Sequence, residues 1–126
     1  MKQLTIADKT ADGVLSFDLR DIIRCLGAPA MESYWEIGQV ECLGAGADAF
    51  YKQARQAARL SGRSLLRLAD HVDQVIDGEF RGYRNVADRE PWVIVRAVDS
   101  SAYDIESDDD AALNMLRRRF KEVADI

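Results

Sequence analysis

The stretch Gln74–Glu106, QVIDGEFRGYRNVADREPWVIVRAVDSSAYDIE, decides the architecture. It reads as three antiparallel strands in succession. Residues 85–90 (NVADRE) are polar and run into Pro91, which suits a hairpin loop better than a strand. If Arg84 faces Pro91, then Tyr83 faces Trp92, Arg81 faces Ile94, Glu79 faces Arg96 and Asp77 faces Val98. On the other face Ile76, Gly78, Phe80 and Gly82 fall against Val93, Val95 and Ala97. The first face then holds an aromatic pair and an opposite-charge pair, each worth about 0.2–1 kcal/mol. The second collects apolar and small residues. A slip of one residue would set Phe80 against Ile94 or Arg96 and mix the faces, so this register is expected.

The following turn obeys the same logic. Tyr103 and Ile105 alternate with Asp104 and Glu106. A loop of Ser100-Ser101-Ala102 keeps Ile105 on Ala97's face, sets Tyr103 opposite Asp99, and leaves Arg96 between Glu79 and Glu106.

Downstream, Ser107 and Asp108–Asp110 supply caps and negative charge, while Arg117, Arg118, Arg119 and Lys121 supply positive charge near the other end. That arrangement complements a helix macrodipole at both termini. Leu113, Leu116, Phe120 and Val123 form the apolar stripe, expected to cover Phe80, Val95 and Ile105. The acidic triplet lacks the glycine and distal glutamate of a calcium loop, so it reads as a cap. The basic run reads as a solvated helix face.

Upstream, Ala47, Phe50, Tyr51, Ala54, Ala57 and Ala58 make a helical stripe from Ala47 to Leu60, broken by Ser61-Gly62. Ser64 caps a further helix with stripe Leu65, Leu68, Ala69 and Val72. Asp18 is placed as the N-cap of a short helix carrying Leu19, Ile22, Ile23 and Leu26, with Gly27 as its C-cap and Pro29 beyond. Residues 31–43 fit no single period, but aromatic and β-branched residues between Pro29 and Gly44 favour a strand. Residues 2–7 and 14–17 flank Asp12-Gly13 as a short hairpin. The expected fold is α+β: an antiparallel sheet of four to six strands with about four helices packed on it, in a single domain over residues 1–126.

The 126 residues are 48% hydrophobic and 31% charged, which suits a folded globular chain. A net charge of −5 disfavours nucleic acid and anionic membrane as partners. No apolar run approaches the ~18 residues of a membrane span, and MKQLTIADK lacks the apolar core of a signal peptide. A soluble cytoplasmic protein is expected. Cys25 and Cys42 form no CxxC and have no histidine nearby, so reduced thiols are expected and no zinc site is supported.

Three groups of residues bear on function. Tyr83, Trp92, Ile94 and Val98 lie beside the charged row, too much apolar surface to leave wet. Either the helices over 47–60 and 64–72 cover it, giving three layers, or a partner does; the chain's own helices are the expected cover. If a partner does, the interface residues are Tyr83, Trp92, Ile94, Arg96 and Glu79. Secondly, Gly44-Ala45-Gly46-Ala47-Asp48-Ala49 matches GxGxxA, with Asp70 downstream as a ribose-binding acid. The polar Glu36, Gln39 and Glu41 before it, and the helical reading of 64–72, favour an ordinary glycine-rich turn. Thirdly, His71 is the only histidine, and Asp77, Glu79, Arg81, Arg96 and Glu106 form the densest charge cluster. Histidine and paired carboxylates are usual acid–base groups. No nucleophile signature accompanies either, so a surface histidine and a cross-strand ion-pair row are expected, with no catalytic, cofactor or metal residue.

QVIDGEF, PWVIVRAVDS and YDIESDD resemble stretches of small bacterial proteins to which no activity is attached, over the C-terminal half. That resemblance implies no residue roles. The functional expectation is a protein–protein interaction module, immunity or inhibitor-like, for a basic partner, or else a homo-oligomer. The alternative is a small enzyme or a nucleotide- or metabolite-binding domain using the Gly44–Gly46 turn or the Asp77/Glu79/Arg96 cluster.

Overall fold

The computed structural model describes Met1–Ile126. At its centre, strands β4 (Gln74–Tyr83) and β5 (Val93–Val98) pair as expected, with Phe80 opposite Val95, Glu79 opposite Arg96 and Arg81 opposite Ile94. Strand β6 (Ala102–Ser107) pairs with β5 two residues away from the expected register: Val95 faces Ile105, and Arg96 faces Asp104. The loop is Asp99–Ser101, one residue earlier. Asp99 and Ser100 both have left-handed φ, 48° and 57°, as a tight hairpin turn requires. Hydrogen bonds from the Asp99 N–H to Asp77 Oδ1 (2.7 Å) and from the Ser100 N–H to the Ile76 carbonyl (3.0 Å) hold them there. A shift by two preserves facing, so Phe80, Val95 and Ile105 still line up.

The sheet has seven strands in the order β3-β2-β4-β5-β6-β1-β7, all antiparallel. The remaining strands are β1 (Lys2–Ile6), β2 (Tyr34–Leu43), β3 (Leu60–Ser61) and β7 (Val123–Asp125). The expectation of four to six fell short because β3 and β7 have two and three residues, too few for any pattern. β1 lies between β6 and β7, not in a hairpin with residues 14–17, where only the bridge Lys9–Leu15 forms.

β2 explains its own unreadable period. Trp35 and Ile37 face the core, then Gly38 is an extra residue, and Val40 and Cys42 take over. The bulge moves the apolar residues from odd to even positions. A second irregularity at the other end of the β2–β4 pair leaves Ile76 out and sends Val75 (0% exposed) inward, contrary to the expected facing of Ile76.

Five helices accompany the sheet: α1 (Leu19–Leu26), α2 (Ala28–Met31), α3 (Ala47–Ala54), α4 (Gly62–Asp70) and α5 (Asp110–Arg119). Their buried residues join Leu4, Phe80, Val95 and Ile105 in one core. Phe50 of α3 stands over Phe80 with ring centroids 6.0 Å apart. Each fully buried leucine, isoleucine or phenylalanine contributes about 1.5–3 kcal/mol there. α3 stops at Ala54 rather than Leu60, and α5 stops at Arg119, short of Val123. Asp8 ends α5: its carboxylate accepts from the Lys121 and Glu122 N–H groups at 2.6–3.0 Å, and Val123 joins β7. No helix is long and apolar enough to cross a membrane.

Asp18 is the N-cap residue of α1, but its side chain serves the sheet. It accepts from the Val75 N–H (3.1 Å) and from the Tyr103 hydroxyl (2.7 Å), at 4% exposure. Burial raises its pKa above the ordinary carboxylate value, against the lowering effect of those bonds and of Arg20. Tyr103 is pushed well above its ordinary value by burial and by the Asp18 charge.

Candidate functional site

The face of the sheet opposite the core is bare of helices. The helices expected to cover it lie instead on the core side, where Phe50, Leu65 and Ala69 are buried. The third layer is therefore absent. What crosses this face is a row of charges built by strand register. Glu36 on β2 stands opposite Arg81 on β4, and Glu79 on β4 opposite Arg96 on β5. Arg59 comes from the irregular segment after α3.

These side chains form one continuous chain of ion pairs. Arg59 Nε donates to Glu36 Oε2 at 2.9 Å. Arg81 Nε lies 3.5 Å from Glu36 Oε1, and its Nη1 donates to Glu79. Arg96 Nε donates to Glu79 Oε1 at 2.9 Å, and its Nη1 lies 3.2 Å from Glu106 Oε1. Side chains here are 15–34% exposed, so water screens each pair, and each contributes at most about 1 kcal/mol. Burial disfavours the Arg96 charge, but Glu79 and Glu106 outweigh it and raise its pKa. Burial likewise pushes Glu36 up, while Arg59 and Tyr83 outweigh it and hold the carboxyl below its ordinary value. Glu79 is thus paired on both sides, with Arg81 and Arg96, while Asp77 stands outside the row and accepts from the Asp99 N–H.

The expected interface residues divide. Ile94, Arg96 and Glu79 do lie on the open face, half-buried, alongside the more exposed Val98 and Tyr34. Tyr83 is on that face but covered: the Arg59 guanidinium stacks 3.5 Å from its ring centroid, and its hydroxyl donates to Glu36 Oε1 at 2.9 Å. Burial and the Glu36 charge raise the Tyr83 pKa. Trp92 is the correction. It precedes β5, escapes the alternation, and turns into the core with 8% exposure. Its Nε1 donates to Ser33 Oγ at 2.9 Å, and Arg84 sits 4.4 Å from the ring centroid.

Arg59 and Glu36 were missed as site residues. Arg59 falls outside the apolar stripe of the helix expected over Ala47 to Leu60, and that helix stops five residues before it, at Ala54. Acids at Glu41, Asp77 and Asp104 also lie on this face by register. The face therefore carries Glu36, Glu41, Asp77, Glu79, Asp104 and Glu106 against Arg59, Arg81 and Arg96, an excess of negative charge.

The glycine turn is explained by packing. Gly44 has φ +116°, and a Cβ on Gly46 would lie 2.6 Å from the His71 carbonyl oxygen. The Gly46 N–H is already spent on that oxygen at 3.0 Å, where a dinucleotide site would offer it to phosphate. His71 caps α4, with Nδ1 2.6 Å from the Arg67 carbonyl. The Asp108–Asp110 run caps α5, with Asp109 Oδ1 accepting from the Ala112 N–H at 3.2 Å. No group of His, Cys, Asp or Glu side chains has the arrangement to hold a metal ion. Cys25 and Cys42 are free, and burial raises both thiol pKa values, which makes them poor nucleophiles.

No protein-family model, curated protein or solved structure matches the chain.

Proposed function

We propose that the protein is an interaction module whose open sheet face docks on a partner protein with a basic surface, in the manner of an immunity or inhibitor protein. The observation that carries this reading is the uncovered face with its excess of acids. The paired arginines fix the side chains of the ladder, so a partner meets a preorganised surface at little entropic cost. Glu41, Asp77 and Asp104 remain outside the ladder to attract positive charge and accelerate encounter. Ile94, Val98 and Tyr34 supply apolar contact between the charges. Self-association through the same face sets like charges against each other, which favours a basic partner over a second copy.

The test is cross-linking in the native cell, comparing the wild type with Ile94→Arg/Val98→Lys, both outward-facing. A basic protein captured by the wild type, released by salt and lost from the double variant is the expected result. Capture unaffected by the double variant refutes the face as the docking site. A homodimer in light scattering that the double variant dissolves replaces the basic partner with a second copy.

A further inference from the structure

A cleft of about 340 Å³ lies between α3 and α4, remote in function from the sheet face. Leu60 and Leu68 give it apolar walls, and Gln53, Ser64, Arg67 and His71 bring polar groups to it. The volume is at the small end for sites that bury a whole ligand, and apolar walls with a few convergent polar groups are the usual make-up of such sites.

The polar groups are unspent. The Arg67 side chain makes no ion pair or hydrogen bond with the rest of the chain, whereas Arg24 on α1 is held by Asp70 of α4 at 2.7 Å. His71 is oriented: a carbonyl oxygen only accepts, so the 2.6 Å contact from Nδ1 to Arg67 O places a proton on Nδ1 and leaves Nε2 without a protein partner. The Ser61 and Ser64 hydroxyls are 3.0 Å apart and share one proton, leaving the other to donate elsewhere. The Gln53 side-chain amide also has no partner within the chain. Donors outnumber acceptors, and the one full charge is positive. The complementary ligand is an anion rich in acceptors, and the leucine walls require it to carry carbon.

We infer that this cleft binds a small carboxylic acid with a compact apolar body. Arg67 pairs with the carboxylate, the Ser64 hydroxyl and the Gln53 amide N–H donate to it, and Leu60 and Leu68 receive the hydrocarbon. The glycine-turn mode of holding a pyrophosphate is closed here, because the Gly46 N–H is committed to the His71 carbonyl.

The test is an amide ¹H–¹⁵N NMR titration of the full chain with hexanoate, hexan-1-ol and inorganic phosphate. Hexanoate is expected to shift the Gly46, Ser64 and His71 amides saturably. Hexan-1-ol should bind about tenfold or more weakly, as should hexanoate to Arg67→Gln, since a charge-assisted bond is lost. Arg67→Gln should leave the thermal midpoint unchanged, because the side chain is exposed and unbonded. Absence of saturable shifts up to about 10 mM hexanoate overturns the proposal. Equal affinity for hexan-1-ol, or for Arg67→Gln, overturns the role of the charge. Phosphate binding as tightly as hexanoate overturns the apolar part.

Discussion

Replacing Asp18 isolates the buried hydrogen-bonded hub that joins α1, β4 and β6. Asp18→Ala strips the acceptor from the Val75 N–H and the Tyr103 hydroxyl, both on residues with 0% exposure. Each donor left unsatisfied costs about 1–3 kcal/mol. Removing a poorly solvated carboxylate returns part of this, so the net loss is about 2–3 kcal/mol. Urea unfolding followed by circular dichroism should show the midpoint falling by about 1–2 M. Asp18→Asn keeps one acceptor and loses about half as much.

The pH dependence supplies a sharper test. The folded pKa of Asp18 lies above its unfolded value, because burial disfavours the charge. The native state therefore binds more protons than the unfolded chain between those two values, and stability falls as pH rises through that window. Asparagine does not titrate. The advantage of wild type over Asp18→Asn should be greatest below the ordinary aspartate pKa, shrink as pH rises, and level off above the raised value. An advantage that grows with pH would refute the account, as would an Asp18→Ala protein within about 0.5 kcal/mol of wild type.

Two further substitutions test other parts of the structure. Trp92→Ala should cost about 3–5 kcal/mol in the same unfolding assay, the usual loss for a large buried aromatic; a loss under about 1 kcal/mol would put the ring back on the surface. Gly46→Ala sets a methyl group against the His71 backbone and should cost about 1–3 kcal/mol without any ligand present, whereas a glycine kept for phosphate would tolerate alanine in the free protein.

The central hairpin was legible because a polar loop ending at Pro91 anchors the pairing, and because facing survives any even slip. The Asp99 turn shows the limit: parity places Ile105 on the right side, but only contacts with Asp77 and Ile76 choose between loops two residues apart in register. β2 was illegible in period because Gly38 adds a residue mid-strand; a lone glycine in a strand pattern was the available signal. The helices were read too long for a tertiary reason. Ala57 and Ala58 continue α3's stripe, yet Arg59 is drawn away by Glu36, Tyr83 and the Val86 carbonyl. Of the open face, the Glu79–Arg96–Glu106 segment could be read, while Trp92 could not. It stands just outside β5, where strand alternation no longer governs direction.

The ends of the sheet carry a consequence of their own. One margin finishes in a two-residue strand and the other in a three-residue strand. Where β2 runs on past β3, the Tyr51 hydroxyl occupies Cys42, accepting from its N–H at 3.0 Å and donating to its carbonyl at 2.9 Å. A neighbouring molecule seeking to extend the ladder sideways finds stubs and a plugged position. Fibril-like growth by lateral zippering is thereby discouraged, even though the broad plane of the molecule stays open to visitors arriving from above.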